Sequence, residues 1–484
     1  MGVWAAVLLG TAGFVACVGD APTSGTPDGN ADPTLDAGTR NPPSTGDGSV
    51  AADTGTPSGG GVAPGAPGSV AAAALPVVIN VSTLAGSPTG ASGSVDGVGA
   101  AATFMEPFGL ATDSNGFVYV ADKGSNRIRK VSPAGVVTTL AGSTSGYVDG
   151  VGASAKFSFP LGLVVDAAFN VYVADGGNHR IRKIAATGVV TTYAGSGVNG
   201  YVEGNGPVAA FSNPGSLAID GIGNLFVVDQ TNQRIRIVTP TNPPVTSFMA
   251  GSGVAGFADG TGAGASFRYP SGIGTLNGDV IVADLSNYRI RKITSGGVVT
   301  TLAGTTAPTP FSDGTGAAAR FSSPQGLALD AAGNAYVADE GFQRIRKVTP
   351  AGVVTTLAGS GVAAFNDGPA AVAQFNNPEG VAVDANDNVY VADMNNRRIR
   401  KIASDGIKQL TVTWSAGSTG GSPITGYTAT ATATSQEPRT CTTTGATTCT
   451  IAGLARGVAY TVTVTATNAS GTSPASAPAV ATPN

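Results

Sequence analysis

One motif constrains this chain more than any other: Val-Ala-Asp-x-x-x-x-Arg-Ile-Arg-Lys, first met at Val120–Lys130 and returning in close form five more times. Its Asp falls at Asp122, Asp175, Asp229, Asp284, Asp339 and Asp393. The Arg five residues on falls at Arg127, Arg180, Arg234, Arg289, Arg344 and Arg398. A second marker, Pro with Gly or Ser two residues later, stands at Pro107, Pro160, Pro214, Pro270, Pro324 and Pro378. Successive markers are about 54 residues apart, a period that suits one four-stranded unit per copy. A helical protein is excluded by composition: 71 Gly and 30 Pro among 484 residues, with only 12% charged.

Each copy reads as four short strands. In the second, Gly162–Asp166, Val171–Asp175, Arg180–Ile184 and Val189–Tyr193 alternate with turn residues. One such meander buries little alone, and six stacked around an axis cover each other's faces. The array also predicts its own closure. Val81–Gly86 matches the fourth strand of the other copies, and the sixth copy lacks one after Ile402. The N-terminal strand is therefore expected to complete the last blade, leaving no open seam.

These residues resemble NHL repeats, most closely at Asp330–Asp339, and the resemblance spans residues 81 to 402. It implies a six-bladed β-propeller over 76–404, of a family that usually binds partners or ligands and sometimes carries an enzyme site. The C-terminal stretch, 405–484, resembles a bacterial fibronectin type III domain. The likeness implies that Trp414 is its core Trp and Tyr460 its corner Tyr. Only seven residues, 403–409, precede its first recognisable strand, so the module is expected to be truncated or docked directly on the ring. Cys441 and Cys449 flank a turn and are placed to pair across a hairpin, which fits an oxidising compartment.

The beginning of the chain points outward from the cell. Val3–Ala16, about fourteen residues, is too short for a normal transmembrane helix and fits a signal-peptide core. With Cys17 it resembles a bacterial lipobox, which implies a signal segment over residues 1–17 whose Cys17 is lipid-modified and becomes the first residue of the mature protein; an ordinary cleaved secretory signal stays open. Residues 18–75 are Gly, Pro, Ser, Thr, Asp and Ala, a composition expected to stay disordered as a tether.

For function, the repeated Asp and Arg are expected to serve the blades, because a sixfold feature makes a poor catalytic constellation. The Asp-Gly pairs at Asp96, Asp149, Asp259, Asp313 and Asp367, with Glu203 in the third copy, read as turns. Each offers one acidic group where a calcium ion wants six to eight oxygens. His179 is the single His, which excludes a multi-His zinc site within one chain. No cofactor is expected, although calcium in the channel stays open. Residues private to single blades are the candidates for a site: Phe108, Phe159, Arg268, Tyr269, Tyr288 and Glu379. Two readings follow. The first is an exported, surface-anchored, monomeric all-β scaffold that binds a protein or polysaccharide and is more a binder than an enzyme. The second is a metal-dependent, lactonase-like or glycan-active propeller. Nucleic acid is not expected as a partner, since the net charge is −4.

Overall fold

Short strands ending in tight turns produce meanders, and in the computed structural model six of them form the ring. The structure describes residues 62–74, 78–306, 308–404, 408–455 and 458–483. Residues 1–61, with Cys17, the signal-like segment and most of the expected tether, lie outside them.

In the first blade the inner strand is Pro107–Thr112, followed outward by Val118–Asp122, Arg127–Val131 and Val136–Gly142. Every residue of Val118–Asp122 is buried, because blades pack on both of its faces. That is why it reads as an unbroken apolar run rather than an alternation. The blades have five strands, not the four expected: Gly97–Val98 pairs outside Val136–Gly142, and the other blades repeat the arrangement. The extra strand comes from the Asp-Gly insertion. The insertion goes on into a single 3₁₀ turn, Gly99–Ala101, with Phe104 wholly buried after it. The ring closes as the sequence implies. Ile79–Ala85 pairs with Arg398–Ser404 in the sixth blade, Ile79 opposite Ser404, so the chain enters and leaves the ring at one point.

The second module departs from expectation in three ways. Its first strand is neither missing nor displaced by docking: Val70–Ala74 supplies it, pairing antiparallel with Lys408–Trp414, Val70 opposite Trp414. Residues 62–74 are therefore part of a folded sheet, not of a disordered tether. In chain order the ring is inserted between the first and second strands of the sandwich. Thirdly, Cys441 and Cys449 do form a disulfide, but it joins Arg439–Thr443 of one sheet to Thr448–Leu454 of the other. Trp414 packs on Tyr427 with ring centroids 5.3 Å apart. The Tyr460 hydroxyl accepts the Ala455 N–H at 3.0 Å.

Candidate functional site at the channel mouth

The signature residues hold the blades. In the second blade Asp175 Oδ1 accepts the Ser158 N–H at 2.7 Å, and Oδ2 accepts Asn178 Nδ2 and Arg182 Nη1 at 2.7 and 2.9 Å. The ion-pair partner is thus the second Arg of the motif, seven residues after the Asp. Arg182 is fully buried and its other nitrogen reaches Asp149 at 2.5 Å. The Asp-Gly carboxylates are bound to Arg in this way in five blades. Their turn positions are held by a guanidinium clamp. The first Arg does different work. Arg180 donates to the Ser196 carbonyl at 2.7 Å and lies over the Tyr147 ring at 3.9 Å. Arg234, Arg289, Arg344 and Arg398 stack likewise on Tyr201, Phe257, Phe311 and Phe365. Arg127 has no such ring and bonds to Ser94. The buried guanidiniums are neutralised in place, so no positive band forms from them.

The residues just before these Arg are also structural. Asn126, His179, Gln233, Tyr288, Gln343 and Arg397 all hold left-handed backbone, with φ between 54° and 56°. Four of them reach the next blade: Asn126, His179, Gln233 and Gln343 accept N–H groups from Phe159, Asn213, Tyr269 and Asn377 at 2.6–3.1 Å. Burial and then Arg180 push the pKa of His179 down, so its Nδ1 is a neutral acceptor. The lone His is a staple between blades.

The site lies where these elements end. Pro107 pairs with Asp122, so the start of each inner strand and the residue after each signature Asp share one face of the ring. There the central channel opens as a cavity of about 540 Å³. Its waist is set by backbone. A Cβ on Gly380 would stand 2.0 Å from the Phe108 carbonyl, and one on Gly326 would stand 2.2 Å from that of Glu379. At five of the six equivalent positions a residue without a side chain lets the inner strands approach so closely, and the sixth is Ser216. Below the waist the wall is apolar, with Leu110, Leu163, Leu217, Ile273, Leu327 and Val381.

Above it the mouth is mixed. The residues following the marker Pro are Phe108, Leu161, Gly215, Ser271, Gln325 and Glu379, six different side chains at one level. Phe159, Lys123, Asn213 and Gln230 stand beside them. Asn213 Nδ2 donates to Gln230 Oε1 at 3.0 Å, and Ser271 Oγ donates to Gln325 Oε1 at 2.5 Å. Lys123 pairs with Glu106 at 3.4 Å, its ammonium 5.5 Å from the Phe108 ring centroid. Glu379 is 4% exposed and its Oε2 has no hydrogen-bond partner among the described residues. Burial, and after it the charge of Glu340, push its pKa up to about 8, with Lys123 acting the other way.

Of the sequence-derived candidates, Phe108, Phe159 and Glu379 come together here. Arg268, Tyr269 and Tyr288 do not line the cavity. Tyr269 and Tyr288 sit at left-handed turn positions, and the Arg268 N–H is held by Asp284 at 2.8 Å. Lys123, Gln230 and Gln325 were legible only as blade-specific residues, and Asn213 and Ser271 carried no signal. Among the described residues no three His, Cys, Asp or Glu side chains converge as a metal-ligand set. Nor, among the described residues, is any helix long and apolar enough to cross a membrane.

Known proteins share the two parts. The NHL repeat model matches residues 104–131, 157–184 and 375–402, and the fibronectin type III domain model matches 401–482. "Protein SUPPRESSOR OF QUENCHING 1, chloroplastic" of Arabidopsis thaliana is 31% identical over 279 residues, 53% of this chain and 26% of its own length. "NHL repeat-containing protein 2" of Gallus gallus is 30% identical over 319 residues, 58% of this chain and 44% of its own. The chain thus spans less than half of these curated relatives. A solved protein of unknown function from Bacteroides thetaiotaomicron superposes with TM-score 0.53 at 24% identity, covering 68% of this chain and 76% of that one. An auxiliary nutrient binding protein from the same organism gives 0.52 at 17%, with 68% and 77% covered. At these identities the likeness is one of fold.

Proposed function

Because this chain is an NHL-repeat β-propeller joined to a fibronectin type III domain, we propose that it is a binding scaffold whose channel mouth takes a saccharide. The observation that carries this reading is the make-up of the mouth. Phe108 and Phe159 offer apolar ring faces beside Lys123, Gln230, Ser271, Gln325 and Glu379. A pocket that joins aromatic faces to a few fixed polar groups orients a ligand with both apolar and hydroxyl surfaces, and a sugar ring has both. In this reading residues 1–17 direct export with lipid on Cys17, the following segment tethers the protein to the membrane, and the folded part works at the cell surface. The inter-sheet disulfide fits an oxidising compartment. A nutrient-binding protein of Bacteroides built on the same fold is consistent with such a role.

The test is calorimetric titration of the full chain with soluble glucan and cell-wall oligosaccharides, repeated on Phe108→Ala and Phe159→Ala. The reading expects a saccharide whose affinity falls at least about tenfold in each variant, the scale of losing an aromatic contact of about 1.4 kcal/mol. No binding by any oligosaccharide, or binding indifferent to both substitutions, would refute it.

A further inference from the structure

Glu379 is the one feature of the mouth that its own surroundings do not explain. The other polar side chains there have partners: Asn213 with Gln230, Ser271 with Gln325, Lys123 with Glu106. Glu379 is buried with an oxygen that nothing in the described residues satisfies. A carboxyl in that position costs stability whichever form it takes, since neither a charge nor an unpaired polar atom belongs in a dry wall. A ligand that pairs with the carboxyl would remove that cost.

The charges around it say what kind of group that is. Lys123 of the following blade lines the same mouth, and the charges of Lys123 and of Glu340 in the preceding blade both reach Glu379. The Lys123 ammonium is already engaged by Glu106. Three carboxyls therefore meet one cation at this edge of the mouth, and the aromatic face of Phe108 begins the neighbouring strand. An incoming ammonium would find a carboxylate to pair with, a second one nearby and a π-face alongside. Resting on the saccharide reading above, we infer that the mouth selects an amino sugar, with Glu379 as the residue that pairs with its ammonium group.

The chemistry has a measurable sign. Burial keeps Glu379 protonated until about pH 8 in the empty site. An ammonium favours its carboxylate form, so binding expels the proton. At pH values where the ligand amine stays charged, affinity for it should rise by about tenfold per pH unit. A neutral sugar needs no such exchange.

The experiment titrates the full chain with a glucosamine tetramer and with a glucose tetramer at pH 5.5 and 6.5. The inference expects tighter binding of the glucosamine tetramer at pH 6.5, with about a tenfold gain over pH 5.5. The glucose tetramer should bind equally at both. In Glu379→Gln the pH slope should vanish and the two affinities converge. If both tetramers bind alike in the native chain, the inference falls and the saccharide reading stands. If the glucosamine tetramer is preferred with no pH slope, or the slope survives in Glu379→Gln, another group is responsible and the assignment of Glu379 falls. If neither tetramer nor any other saccharide binds, both fall together. A native chain with no preference for the glucosamine tetramer, or with no pH slope, overturns the inference even where the variant folds poorly.

Discussion

Removing residues 62–74 should unfold the fibronectin type III module and leave the ring intact. The segment is held to the sandwich by backbone. Val62, Gly65 and Gly68 donate to Gly420, Ser418 and Ser415, and Ser415 donates back to Ser69, all within 2.9–3.1 Å. The five-residue ladder from Val70 to Ala74 adds to these, with Val70 and Ala72 packed against the core of Trp414, Leu410 and Val412. At a net of about 1 kcal/mol each, the four bonds are worth about 4 kcal/mol before any ladder or packing is counted. A module of this size has about 4–11 kcal/mol in total, so the loss is comparable to the whole. The assay is built into the sequence. Trp414 is one of two Trp residues and the other is Trp4, so in a chain beginning at residue 62 its emission reports the sandwich alone. Compared with that chain, one beginning at residue 78 should show red-shifted Trp414 emission without denaturant. Its ring transition, followed by circular dichroism, should be unchanged. A peptide of residues 62–74 added back should restore the blue emission. An unaltered Trp414 unfolding midpoint in the shorter chain would refute the reasoning.

Two further outcomes follow from the ring. Arg182→Met strands the wholly buried Asp175 and should destabilise the propeller by about 3–5 kcal/mol in a denaturant melt, with the double variant Arg182→Met, Asp175→Asn recovering much of the loss; equal stability of the single variant would mean that the clamp is not required. Deleting Ile79–Ala85 removes the strand that seals the sixth blade and leaves Arg398–Ser404 as an open edge. It should yield a chain that self-associates in sedimentation experiments, and a stable monomer with the native ring transition would count against closure by that strand.

What the sequence disclosed follows from how each element is determined. The blades were legible because every copy repeats the same local problem, and the missing fourth strand after Ile402 identified the closure. The first strand of the sandwich was not. Val70-Ala-Ala-Ala-Ala74 has no alternation and hardly any apolar bulk, and its partner lies more than three hundred residues away. Nothing local marks it, and only the pairing with Lys408–Trp414 makes it a strand. Which Arg pairs with the Asp was not legible for a related reason. Spacing alone made the first Arg of the motif as good a partner for the Asp as the second. Antiparallel pairing puts Asp175 opposite Arg180 in the ladder, yet it is Arg182 that is buried and turned to meet the carboxylate.

The site was legible by difference. At the waist of the channel, Gly109, Gly162, Ser216, Gly272, Gly326 and Gly380 are nearly invariant across the copies, because neighbouring carbonyls leave no room for a larger side chain. One residue earlier, at the same level of the same strands, the chain places Phe, Leu, Gly, Ser, Gln and Glu. The backbone there is as regular as at the waist, so the fold imposes no reason for six different choices. In a ring of equivalent blades, packing asks for sameness, and a single ligand that touches several blades at once asks for difference. Phe108 and Glu379 on adjacent strands are such a difference, and Glu379 Oε2 has no hydrogen-bond partner among the described residues. On this ground the mouth, not the clamped Arg and Asp of the repeat, is where we propose that a ligand binds.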